Sequence, residues 1–181
     1  MKLLLLVIVT CNLYAYNIKQ NLFTLYQNKK YEEVCTIGFN NFQRYKKDEE
    51  FVSLYAFGCL HSDYIDRLSI PITMLKFSKE ARANSAYFAV IMMQKKLLYH
   101  ALIDGYELSQ YVLPSTDYIL SKVFDLYVQL GKHKPRTFYL FNDPTDKKLS
   151  YKLYISKDER ISKMIIEEYY DTIILKRHIY W

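Results

Sequence analysis

Only four Gly and four Pro occur in 181 residues, which excludes a collagen-like chain and a glycine- or proline-rich disordered one. Long apolar runs are equally scarce. The N-terminal run, Leu3 to Val9, has seven residues, and Ala86 to Met93 has eight, against the roughly 20 that a bilayer-spanning helix needs. The three cysteines include no C-x-x-C pair, so the thiol redox motif is missing. There is no H-E-x-x-H, no G-x-S-x-G and no glycine-rich phosphate loop. The four histidines, His61, His100, His133 and His178, share no metal-ligand spacing. On these grounds the chain calls for no cofactor and no metal.

What the chain does have is buriable surface. It is 51% hydrophobic and 17% aromatic, with 19 Tyr and 10 Phe. That is too much apolar area for a disordered chain and enough for one substantial core. The length fits a single domain, or one domain with a small appendage. At the N-terminus, Lys2, the apolar run Leu3–Val9 and the small residue Ala15 form the three-part pattern of a secretory signal peptide over residues 1–15. Two other readings remain: a buried N-terminal helix, and a lipoprotein signal acylated at Cys11, for which Thr10 is a poor neighbour. The expectation is an exported, periplasmic protein with no stable membrane insertion once residues 1–15 are removed.

The whole chain carries a net +6, and loss of Lys2 with the signal would leave +5. Its cations are scattered in pairs such as Lys29-Lys30, Lys46-Lys47, Lys95-Lys96, Lys147-Lys148 and Lys176-Arg177. A nucleic-acid binder concentrates them on one face with aromatic platforms, so nucleic acid is not expected as a partner. Weak attraction to anionic surfaces is compatible with this charge. Export would leave Cys35 and Cys59 as a disulfide candidate. Closing the 23 residues between them would contribute about 3 kcal/mol. The alternative is two buried free thiols in apolar helical stretches.

Apolar spacing predicts helices over 17–29, 31–45, 49–60, 63–75 (bent or restarted at Pro71), 79–103 (ended by Gly105) and 114–130 (ended by Gly131). Pro114 at a first-turn position, or Ser115 or Thr116 as a cap, would open the last of these. Residues 137–141 and 149–155 read as a β-hairpin around the turn 142–146. Residues 158–170 read as a helix, and 172–181 as a final strand. The predicted organisation is a signal peptide at 1–15, a helical-repeat-like domain at 16–134 and a small α+β element at 135–181. The fold class expected is mainly α: a helical-hairpin array with a small C-terminal β-hairpin and strand.

The stretch Thr24–Val34 resembles the inter-helix segment of a tetratricopeptide repeat. Tyr26, Tyr31 and Glu33 match the family pattern, and Val34 stands where alanine is usual. Phe57–Arg67 looks like a second, poorer copy, with Arg67 at the alanine position, and Asp117-Tyr118 hints at another. Tyr31 and Tyr64 are 33 residues apart, against a family period of about 34. The resemblance covers roughly residues 17–75. It implies a scaffold whose groove binds another protein or a peptide.

No catalytic constellation stands out. Glu49-Glu50 and Glu167-Glu168 are paired carboxylates of the kind glycan-cleaving enzymes use, and they are equally ordinary surface acids. Tyr99, His100 and Asp104 form one further polar group of candidates. Tyrosines are enriched at binding hot spots, and Tyr26, Tyr31, Tyr55 and Tyr64 are the candidate interaction residues. The functional expectation is a non-catalytic periplasmic adaptor or scaffold that binds other envelope proteins. A structural component of an envelope machine, such as the flagellar motor, is one concrete form. The alternative is a peptidoglycan-active enzyme or its accessory factor.

Overall fold

The computed structural model describes residues 18–158 and 160–181; the expected signal segment 1–15, with Cys11, lies outside the described residues. The chain divides into two compact units, one ending at Ser85 and the other beginning at Ala86.

The first unit is helical. Helix α1 covers 18–27, α2 Tyr31–Tyr45 and α3 Glu49–His61. A 3-10 turn, Ile65–Leu68, leads into the short α4, Ser69–Met74. Leu22, Val34 and Phe51 are fully buried at the centre of the first three helices, surrounded by Ile18, Leu25, Ile37, Tyr45 and Leu54. Helix α3 starts where Asp48 accepts hydrogen bonds from the backbone N–H groups of Glu50 and Phe51, both at 3.1 Å, satisfying donors the helix leaves open.

Helices α2 and α3 approach unusually closely, and glycine is the reason. A Cβ on Gly38 would lie 2.6 Å from the Tyr55 Cβ, and one on Gly58 would lie 2.6 Å from a Val34 methyl. Beside the Gly58–Val34 contact Cys35 and Cys59 are joined by a disulfide, their Cα atoms 4.6 Å apart.

Helices α1 and α3 end in the same turn. Lys29 and Asp63 hold positive φ, 58° and 65°. The next residues, Lys30 and Tyr64, have nearly identical backbones, with φ −81° and −80° and ψ 56° in both. In each turn that following residue donates back across the helix end: Lys30 N–H to the Leu25 carbonyl, and Tyr64 N–H to the Cys59 carbonyl, both at 2.9 Å. This is the six-to-one closure of a Schellman motif. The equivalent of Tyr64 is therefore Lys30, a spacing of 34, and Tyr31 corresponds to Ile65.

The second unit holds the remainder of α5 (Lys79–Asp104), α6 (Ile119–Gln129) and a sheet. Its strands are β1 (Phe138–Asn142), β2 (Leu149–Lys157), β3 (Ser162–Tyr170) and β4 (Ile173–Tyr180). They run in sequence order, each antiparallel to the next. Tyr139, Phe141, Tyr151, Leu153, Met164, Ile166, His178 and Tyr180 are buried, and the register puts them on one face. The Tyr127 ring of α6 meets the Tyr139 ring edge-on at 5.1 Å. From α5, the Tyr99 hydroxyl donates to the Ser162 carbonyl at 2.6 Å.

These strands overturn the expected fold class. Helix accounts for 52% and antiparallel sheet for 19% of the described residues, a mixed α/β fold rather than a mainly α helical-hairpin array with a small β element. The error lies at 158–170, where the expected helix is strand β3. Half-buried strands reveal themselves by alternation, but here Met164 and Ile166 are buried on one face and Ile165 and Glu167 on the other. A strand covered on both faces reads as a continuous apolar run, which periodicity cannot separate from a helix. A smaller correction concerns α6. It begins at Ile119 after an irregular stretch, and neither Pro114 nor Ser115 opens it. Thr116 instead uses its Oγ1 to accept from the Tyr118 N–H at 3.3 Å.

Candidate functional site

Helix α1 carries two apolar stripes. One, Ile18, Leu22 and Leu25, enters the core. The other, Phe23 with Lys19 and Gln20, lies on a different face at helical spacing, and half-buried Tyr26, which also packs against the core, borders it. On α3, Glu50, Ser53, Leu54 and Phe57 repeat that spacing. Together these eight residues line a groove of about 740 Å³ between α1 and α3. Its walls are Phe23, Tyr26, Leu54 and Phe57, and Phe23 remains 47% exposed.

One end of the groove is charged and pinned. Lys19 Nζ lies 3.1 Å from Asp48 and 2.5 Å from Glu50. Partial burial works to lower the Lys19 pKa, but the hydrogen bonds to Glu50 and Asp48 outweigh it and hold the ammonium above its ordinary value. The same Asp48 caps α3, so the lysine ties the start of α1 to the start of α3.

The four candidate tyrosines fall in different places. Tyr26 lines the groove. Tyr31 meets the Tyr26 ring at 5.2 Å and packs on His61 at 4.6 Å. Burial, then the neighbouring Tyr31, raises the Tyr26 pKa. Tyr55 is wholly buried, donates to the Arg67 carbonyl at 3.3 Å and presents no surface to a partner; burial pushes its pKa up to about 12. Tyr64 donates to Glu32 at 2.8 Å, and the Arg67 guanidinium sits 4.8 Å above its ring. The residues overlooked by sequence reasoning are Phe23 and Lys19, together with the groove-facing side of Leu54 and Phe57. The signal was a second stripe at i, i+4, i+7, offset from the core stripe.

The paired carboxylates are engaged in structure. Glu49 accepts the backbone N–H groups of Lys76, Phe77 and Ser78 at 2.8, 2.7 and 2.8 Å. These bonds, that from Phe77 foremost, pull its pKa down to about 2. Glu50 pairs with Lys19. Glu167 and Glu168 occupy opposite faces of β3. Burial would raise the Glu167 pKa, yet hydrogen bonds from Tyr169, Arg177 and Tyr154 bring it below the ordinary carboxylate value. Glu168 pairs with His178 at 2.8 Å. Tyr99 turns toward Ser162, while His100 pairs with Asp104 at 2.8 Å. Among the described residues no group of three His, Cys, Asp or Glu side chains is placed to hold a metal ion, and no helix is long and apolar enough to cross a membrane. No protein-family model, curated protein or solved structure matches this chain.

Proposed function

We propose that this is an exported, non-catalytic adaptor whose helical unit binds an apolar segment of another envelope protein in the α1–α3 groove. The observation that carries this reading is the groove itself, in which Phe23 remains 47% exposed while Tyr26, Leu54 and Phe57 line its sides. Exposed apolar surface framed by charge marks binding sites more often than it occurs by chance. Two features support the compartment: the signal-like residues 1–15, and a cystine between α2 and α3 of the kind that persists where thiols are oxidised. The 34-residue recurrence of one helix-ending turn agrees with a repeat-type scaffold. A scaffold subunit of an envelope machine such as the flagellar motor fits this description.

The test is photocrosslinking in the native host, with a photoreactive phenylalanine at position 23 or 57. The expected result is an adduct with one envelope protein, abolished by Leu54→Glu. As a control, position 112, where Val112 is 96% exposed, is expected to give no such adduct. Equal capture from position 112, or no adduct from 23 and 57, would overturn the groove as the binding site.

A further inference from the structure

The second unit contains a different kind of cavity, about 340 Å³ in volume, formed by the end of α5, the end of α6 and the start of the sheet. Its inner wall is aromatic. Tyr127, His133 and Tyr139 form a cluster of edge-to-face rings with centroids 5.1 to 5.4 Å apart, with buried Leu108 beside them. The cluster is locked by hydrogen bonds. The His133 Nδ1 lies 2.7 Å from the Gly131 carbonyl, so that nitrogen carries the proton, and its Nε2 lies 3.3 Å from the Tyr139 hydroxyl. The same hydroxyl accepts the Arg136 backbone N–H at 3.2 Å. Such a wall is organised before any ligand arrives.

The charged part of the lining is uneven. Lys132, Arg136 and Lys157 line the cavity against a single carboxylate, Glu107, which already accepts from the Ser109 hydroxyl at 2.6 Å. Among the described residues none of the three cations forms an ion pair. The Arg136 guanidinium stands over the Tyr139 ring, 5.7 Å from its centre, which places a planar two-pronged donor at the edge of the aromatic wall. Unpaired cations gathered at one concavity favour an anion, and guanidinium geometry matches a carboxylate.

We propose that this cavity binds a small aromatic carboxylate. The ring lies against Tyr127, His133 and Tyr139, and the carboxylate meets Arg136 and Lys132. The site is independent of the α1–α3 groove, and it needs no bond made or broken.

The experiment is a titration of the whole, disulfide-intact protein by two-dimensional amide NMR. The probes are 4-hydroxybenzoate, its neutral analogue 4-hydroxybenzamide and inorganic phosphate. The expected result is saturable shifts at Gly105 and Gly131, both of which line the cavity, with 4-hydroxybenzoate. The neutral amide and phosphate are each expected to bind at least about tenfold more weakly, as loss of a charge-assisted pair or of ring contact implies. Arg136→Gln and Lys132→Gln, each checked for an unchanged spectrum elsewhere, are expected to weaken binding about tenfold, and Lys147→Gln to leave it unchanged. Absence of saturation, equal binding of acid and amide, or indifference to both cavity substitutions would overturn the site. Phosphate binding as tightly as the aromatic acid would overturn the role of the aromatic wall.

Discussion

Two backbone positions of the helical unit respond in opposite directions to the gain or loss of a side chain. At Gly58 there is no space for a Cβ, since a Val34 side chain and the Cys35 amide nitrogen already occupy it. Gly58→Ala is therefore expected to destabilise the protein by about 1–3 kcal/mol through overpacking, read as a lower urea midpoint. At Lys29 the backbone is left-handed, φ 58°, where any Cβ is strained. Lys29→Gly is expected to raise stability by about 0.5–1 kcal/mol in the same assay. Glu49 sets an acid limit. Its folded pKa, about 2, lies below the ordinary 4.5, so its contribution is complete above pH 4.5 and is lost as pH falls toward 2. In Glu49→Gln the corresponding part of the acid loss is expected to disappear from a stability-against-pH curve. An unchanged slope between pH 4.5 and 2 would show that the three N–H bonds to Glu49 contribute nothing to folding.

At the scale of elements, the α2–α3 pair depends on a backbone approach that three features enforce together: Gly38, Gly58 and the Cys35–Cys59 cystine. The cystine closes a loop with a sequence separation of 24, and its removal is expected to cost about 3 kcal/mol. The Cys35→Ser, Cys59→Ser double variant should show that loss in denaturant unfolding. Removal of both thiols avoids the reactive lone cysteine that a single substitution would leave. The double variant and the reduced wild type should agree, because in both the constraint on the unfolded chain is gone. The sheet has no such clamp. Its β1–β2 loop is instead held by Asp143, which accepts from Thr145 N–H at 2.8 Å, Thr145 Oγ1 at 2.6 Å and the Tyr151 hydroxyl.

At the scale of the whole molecule, the cystine belongs to only one of the two compact units. Local stability follows local packing and hydrogen bonding. Reduction is therefore expected to speed amide hydrogen exchange in α2 and α3 while protection in β2 and β3 stays as it was. Equal loss of protection in both units would show instead that the chain unfolds as one cooperative body. The same division separates the two proposed binding surfaces: the groove lies in the first unit and the aromatic-basic cavity in the second. A reducing agent is thus expected to weaken photocrosslinking at position 23 without altering 4-hydroxybenzoate affinity.

The sequence by itself determined the helices of the first unit. The stripe Ile18, Leu22, Leu25, the break at Lys46-Lys47-Asp48 and the acids opening α3 are local signals, and local backbone preference decides such elements. The β1–β2 hairpin was legible for the same reason, through its turn residues and alternation. Tertiary structure alone decided β3, because burial on both faces erases the period that distinguishes strand from helix. It also decided that Tyr55 is core while Phe23 is surface, since both are large, apolar and helical, and only the neighbouring helix tells them apart. Neither the groove nor the cavity is written in any single segment. The groove needs α1 and α3 side by side, and the cavity brings Arg136 and Lys157 together from positions distant in the chain. Concavity and unpaired charge arise only when separate segments meet.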